Sequence, residues 1–157
     1  MIYKFKKEVN SNFLTGKKIA IVLAYFYEDI ANKLLNGSLE TLEKYGLKES
    51  EVDIFYAPGA FEVPLIVKKL TKKYAGIITL GAVIKGETPH FDFVAGECAT
   101  GVMKASYDAE IPIAFGILTT DNMEQTLGRC GGYKGNKGVE AAMAMIESIY
   151  LLGEIES

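Results

Sequence analysis

Histidine occurs once in the 157 residues, at position 90, and cysteine twice, at 98 and 130. The two cysteines stand in no metal-ligand spacing, so free thiols in a reducing compartment are expected and no metal site. No apolar run approaches the length of a membrane span. The opening MIYKFKKEVNSNF has no apolar signal core. These absences together predict a cytoplasmic protein. A basic stripe is missing too: the net charge is −3, which argues against nucleic acid as a partner. The densest cations, Lys68, Lys69, Lys72 and Lys73, fall where a helix should end, and there they read as a solvated face favoured by the helix dipole. No internal repeat, low-complexity segment or linker divides the chain, whose length suits one domain.

Four apolar runs read as buried strands: Ile19–Ala24, Val52–Tyr56, Ile77–Ile84 and Ile113–Leu118. They are continuous rather than alternating, the pattern of strands covered on both faces. Helical periods separate them. Ile30, Ala31, Leu34, Leu35, Leu39 and Leu42 line a first helix that ends near Tyr45-Gly46. Phe61 to Tyr74 reads as a second helix, with Pro64 in its first turn. Phe91 to Ala109 reads as a third, Glu124–Leu127 as a short turn, and Gly138 to Leu152 as the last. This alternation implies a parallel sheet with helices on both faces. The first ten residues read as an extra edge strand or an arm.

In open sheets of this kind ligands bind beyond the carboxyl ends of the strands. Every unusual short motif lies there or just before the last helix. After the third strand, Gly86 permits close backbone approach. Thr88 suits an N-cap and Pro89 a first helical residue. A helix N-terminus favours phosphate and disfavours an imidazolium, so His90 is placed to exchange protons as a neutral imidazole. A surface histidine of no consequence fits the spacing equally well. After the second strand, Phe61 could stack on a planar ring and Glu62 could accept hydrogen bonds from polyol hydroxyls. A plain glycine turn with a dipole-complementing glutamate is the alternative. Tyr25-Phe26-Tyr27 follow the first strand and offer a stacking platform, or packing onto neighbouring elements. Arg129 to Gly138 combines glycines and cations before the last helix. It lacks the Gly-Lys-Ser/Thr of a Walker A loop, and a flexible surface loop reads as well as an anion site.

Taken together, PGAFEVP (Pro58–Pro64), GAVIKGETPHFDF (Gly81–Phe93), FGILTTDNMEQ (Phe115–Gln125) and GNKGVEAA (Gly135–Ala142) resemble the lumazine synthase family. The likeness runs from about Lys18 to Leu152. It implies a three-layer α/β/α sandwich, flavodoxin-like, with a four-stranded parallel sheet over residues 13–157 and an arm over 1–12. It implies a transferase of riboflavin biosynthesis that joins 5-amino-6-(D-ribitylamino)uracil to 3,4-dihydroxy-2-butanone 4-phosphate without metal or organic cofactor. In that likeness Phe26 stacks on the pyrimidine. Ala60, Phe61 and Glu62 hold the ribityl chain, and Ala82, Val83 and Ile84 meet the pyrimidine edge. Glu87 and Thr88 form the phosphate turn, and His90 transfers protons. Phe115 and Arg129 complete the site from the adjacent subunit, Arg129 on the phosphate. Lys137 and Glu140 match a nearby charged pair.

The resemblance also implies a homo-oligomer of pentamers. The short stretch from Gly131 to Gly138 matches members that close into an icosahedral shell, which can enclose riboflavin synthase. The arm would add a strand to the neighbouring subunit's sheet. Two departures stand out: Tyr25 and Tyr27 replace a basic residue and an asparagine common in relatives, and Lys85 replaces an arginine. Two competing readings remain, a non-catalytic flavin- or lumazine-binding or shell-forming paralogue, and a monomeric phosphate-ligand binding module.

Overall fold

The fold is taken from a computed structural model, which describes residues 3–157. The first apolar run forms β1 (Ile19–Ala24), every residue of it buried. Its side chains alternate between two cores. Ile19, Ile21 and Leu23 enter one, while Ala20, Val22 and Ala24 enter the other. A strand with apolar layers on both sides needs no polar face, and this is why the run is unbroken.

The chain then leaves β1 for α1 (Glu28–Lys44), β2 (Asp53–Ala57), α2 (Val63–Leu70) and β3 (Gly76–Ile84). It continues through α3 (His90–Ala109), β4 (Ile113–Thr120), α4 (Met123–Gly128), the short strands β5 (Cys130–Gly132) and β6 (Gly135–Asn136), and α5 (Lys137–Glu156). The main sheet has the order β2-β1-β3-β4 and is parallel throughout. The core holding Leu34, Leu42, Met145 and Ile146 lies under α1 and α5. That holding Val63, Val67, Cys98 and Val102 lies under α2 and α3. The expected three-layer α/β/α sandwich is what forms.

Strand order reverses between β1 and β3, because β2 lies on one side of β1 and β3 on the other. Such a switch point opens a crevice at the carboxyl ends. The two strands come very close there. Gly81 has φ +155, and a Cβ on it would meet the Cβ of Ala24 at 2.8 Å.

Beyond shifts of one to four residues at other element ends, three segments differ from expectation. The second helix is shorter at both ends. Pro64 is accommodated only in a first turn, so the helix proper starts at Val63, and Ala60–Glu62 form a single 3-10 turn. Its far end stops at Leu70, where the Thr71 hydroxyl donates to the carbonyl of Lys68 at 2.9 Å. Tyr74 is drawn back toward β2 by a 2.6 Å bond to Asp53. The glycine loop before α5 is a small antiparallel hairpin, β5 with β6. Among the described residues 3–10 there is no strand. The segment is an arm laid along α5: the Tyr3 hydroxyl donates to the Glu147 carboxylate, the Lys6 N–H donates to it at 3.0 Å, and Lys7 pairs with Glu154 at 2.7 Å.

Candidate active site

A cavity of about 620 Å³ occupies the crevice at the switch point. Its walls come from the turns after all three neighbouring strands. Phe26 and Tyr27 follow β1. The first is 74% exposed, with nothing of the core to bury its ring. Tyr27 is half-buried, packs against the core under α1, and stands edge-on to Phe26 with centroids 5.0 Å apart and planes at 76°.

Gly59 to Glu62 supply the second wall. Ala60 is buried, while Phe61 is 59% exposed and turned outward. The Glu62 carboxylate folds back over Gly59, where a Cβ would lie 3.2 Å from its Oε2. A ring and a carboxylate on one short turn can grip a molecule that is flat at one end and hydroxylated along its length.

The floor is the end of β3: Ala82, Val83 and Ile84. Beyond it Gly86, Thr88 and His90 line the opening, with Phe91, Phe93 and Val94 from the first turns of α3. Helix α3 begins at His90, one residue before the Phe91 of the helical period and one after the Pro89 start that the cap reading gives, with Pro89 in the cap position. The Thr88 hydroxyl nonetheless faces the helix start, accepting from the His90 N–H at 3.4 Å. His90 is exposed. The positive N-terminal end of a long helix and an imidazole on the same turn can hold an anion and pass a proton beside it.

The crevice thus brings together Phe26, Ala60, Phe61, Glu62, Ala82, Val83, Ile84, Thr88 and His90. Glu87 is exposed and absent from the cavity wall, although its neighbours Gly86 and Thr88 line it. Four other candidates lie away from this cavity. Phe115 sits early in β4 and packs, half-buried, on the core under α2 and α3. Arg129 follows α4, its Nη1 donating to the carbonyl of Gln125 at 3.2 Å. Local capping fixes that corner. Asn122 accepts from the Gln125 N–H at 2.9 Å, and the Gln125 side chain accepts from the Asp121 N–H at 2.8 Å. Lys137 and Glu140 occupy the first turn of α5 and are not joined by a salt bridge among the described residues. A single chain therefore presents an open crevice and, elsewhere on its surface, an arginine and an aromatic ring that do not reach it.

The cavity wall also contains Tyr27, one of the three aromatics that the sequence offers as a stacking platform, and Phe91 and Phe93, which no motif marks as binding residues. Phe91 and Phe93 stand in the same GAVIKGETPHFDF stretch as His90. Their signal was one turn of helix following the phosphate-type turn. Among the described residues no group of three or more His, Cys, Asp or Glu side chains is placed to hold a metal ion, and no helix is long and apolar enough to cross a membrane.

Comparison with known proteins agrees with this geometry. The family model for 6,7-dimethyl-8-ribityllumazine synthase matches residues 16–153. A 6,7-dimethyl-8-ribityllumazine synthase of Ruthia magnifica subsp. Calyptogena magnifica is 56% identical, covering 100% of this chain and 98% of its own. The enzyme of that name from Vesicomyosocius okutanii subsp. Calyptogena okutanii is 55% identical with the same coverage. That of Clostridium kluyveri is 48% identical, over 90% of this chain and 93% of its own. With a family match over most of its length and relatives this similar end to end, the chain belongs to the 6,7-dimethyl-8-ribityllumazine synthase family.

Proposed function

We propose that this chain condenses 5-amino-6-(D-ribitylamino)uracil with 3,4-dihydroxy-2-butanone 4-phosphate, giving 6,7-dimethyl-8-ribityllumazine, phosphate and water. The observation that carries this reading is the crevice itself: one cavity lined by an exposed Phe26, by the Phe61-Glu62 turn and by a helix start bearing Thr88 and His90. Phe26 stacks on the pyrimidine, whose edge meets Ala82, Val83 and Ile84. The ribityl chain runs along Ala60, Phe61 and Glu62. The phosphate sits at the turn of Glu87 and Thr88, held by backbone N–H groups at the start of α3. Imine formation, loss of phosphate and ring closure each move protons, and His90 is placed to carry them. Holding the two substrates side by side supplies much of the remaining acceleration.

The position of Phe115 and Arg129 outside the chain's own crevice supports a site completed by a neighbouring subunit. In this reading five chains close into a ring, each lending its Phe115 and Arg129 to the crevice beside it, with Arg129 on the phosphate and Lys137 and Glu140 supporting the seam. The tight β5–β6 hairpin supports assembly of the pentamers into an icosahedral shell, and such a shell would enclose riboflavin synthase. The chain acts as one cytoplasmic enzyme domain, its arm held along α5 by Glu147 and Glu154.

The test is turnover. Purified protein is mixed with both substrates, and lumazine absorbance is followed above the uncatalysed rate. Catalysis supports the reading. Tight binding of the lumazine without catalysis would replace the enzyme by a binding paralogue.

A further inference from the structure

Phe26 is the most exposed aromatic ring in the cavity wall, at 74%, and a ring so exposed has little packing to set its plane. Stacking on a flat ligand needs a defined plane. Tyr27 is in a different situation. Its carbonyl accepts from the Ala31 N–H at 2.9 Å, which anchors its backbone to the first turn of α1. Its side chain is half-buried and packed against the core under that helix. From this anchored position its ring meets Phe26 edge to face at 5.0 Å and 76°. Among the described residues Phe26 has no other aromatic partner. Tyr27 also lines the cavity, yet its hydroxyl forms no hydrogen bond within the described protein.

We propose that Tyr27 is a positioning residue for the pyrimidine subsite, its edge-to-face contact holding the Phe26 ring in the plane on which the uracil substrate stacks. The proposal rests on the lumazine synthase reading of the crevice. The ring carries the effect, and the hydroxyl is incidental to it. Removing the ring should leave Phe26 sampling several orientations, so that the uracil substrate must order it on binding. The expected consequence is weaker uracil binding by about two- to twelvefold, the factor that an edge-to-face aromatic contact carries. The butanone phosphate, held at the other end of the crevice, should bind as before.

The experiment compares wild type, Tyr27→Phe, Tyr27→Leu and Phe26→Ala, together with the double variant Phe26→Ala/Tyr27→Leu. Leucine keeps apolar bulk against the core, and the thermal midpoint of each variant reports whether the fold is intact. KM for each substrate and kcat are measured, and the lumazine is titrated directly by its own fluorescence. Tyr27→Phe should behave as wild type. Tyr27→Leu should raise KM for the uracil and weaken lumazine binding by the same factor, with KM for the butanone phosphate unchanged. In the Phe26→Ala background the Tyr27→Leu change should have no further effect, because its route to the ligand is gone. Equal losses in Tyr27→Phe and Tyr27→Leu would overturn the proposal in favour of a direct hydroxyl contact. So would additive losses in the double variant, or a parallel rise in both KM values. Absence of turnover in wild type would count against the enzyme reading alone, since the lumazine titration gives the same comparison without catalysis.

Discussion

A Cβ placed on Gly138 would lie 2.0 Å from the carbonyl oxygen of Leu34. Helices α1 and α5 therefore touch backbone to backbone, with no room for a side chain. The contact is reinforced on both sides. The Ser38 hydroxyl donates to the Gly138 carbonyl at 2.7 Å. Asn136 donates to the Lys33 carbonyl at 3.1 Å while its Oδ1 caps α5 through the Gly138 N–H at 2.8 Å. Gly138→Ala must push the helices apart and should destabilise the fold by about 1–3 kcal/mol. Asn136→Ala should cost about 1 kcal/mol through the lost cap. Urea unfolding of the two variants checks both. A Gly138→Ala midpoint equal to wild type would mean that the helices are free to separate.

His90→Ala should lower kcat by about a hundred- to ten-thousand-fold, the usual contribution of a positioned acid or base. The side chain is exposed, so the thermal midpoint should barely move. A large fall in the midpoint with a small fall in kcat would assign His90 to structure instead.

Glu147 ties the arm to α5. The backbone N–H of Lys6 and the hydroxyl of Tyr3 hold its carboxyl below the ordinary carboxylate value, while burial and the same bond push Tyr3 up to about 12. A carboxylate with a lowered folded-state value stabilises the fold above its ordinary value, and that contribution is lost as pH falls through the lowered one. Acidification from the ordinary glutamate value of 4.5 downward should therefore release the arm progressively, detectable as faster proteolysis before residue 13. Glu147→Gln should show the faster cleavage already at neutral pH. Equal cleavage of wild type and variant at every pH would remove Glu147 from the latch.

Burial pushes the Cys98 thiol up to about 11 from an ordinary 9.0, and it raises Cys130 as well. Between those two values the folded protein keeps a Cys98 proton that the unfolded chain gives up. This contribution is complete below pH 9 and is lost as pH rises through the folded value. Stability should fall more steeply in wild type than in Cys98→Ala between pH 9 and 11, with the tyrosines common to both. Neither thiol should react with iodoacetamide at pH 8 until the protein unfolds. Rapid labelling of native protein would show that the core opens locally.

Much of this fold is legible in the amino-acid sequence. Strand β1 lies where its Ile, Val and Ala run predicts, because a strand buried on both faces leaves an unmistakable apolar block. The turns that wall the crevice were legible for a related reason: a parallel sheet puts its functional turns at the carboxyl ends, and the odd motifs fall there. The β5–β6 hairpin was not legible. Its strands are two and three residues long, and Gly131 and Gly135 turn the chain with φ of +113 and +85, which no periodicity announces. Tyr27 could be read only as one member of a three-aromatic platform, because such a run gives no sign of which rings meet the cavity. That depends on the angle at which α1 leaves β1. The second helix was overextended because Lys72 and Lys73 are good helix formers, whereas the bond from Tyr74 to Asp53 is a tertiary contact.

If His90 of one chain and Arg129 of the next serve a single site, variants of the two should complement each other. His90→Ala and Arg129→Ala proteins, each nearly inactive alone, are unfolded together, reassembled as mixed oligomers and assayed. With shared sites, about a quarter of the crevices in an equal mixture would combine an intact His90 with an intact neighbouring Arg129, and activity should return to that fraction of wild type. Mixed oligomers verified by native mass spectrometry that remain as inactive as their parents would contradict the account.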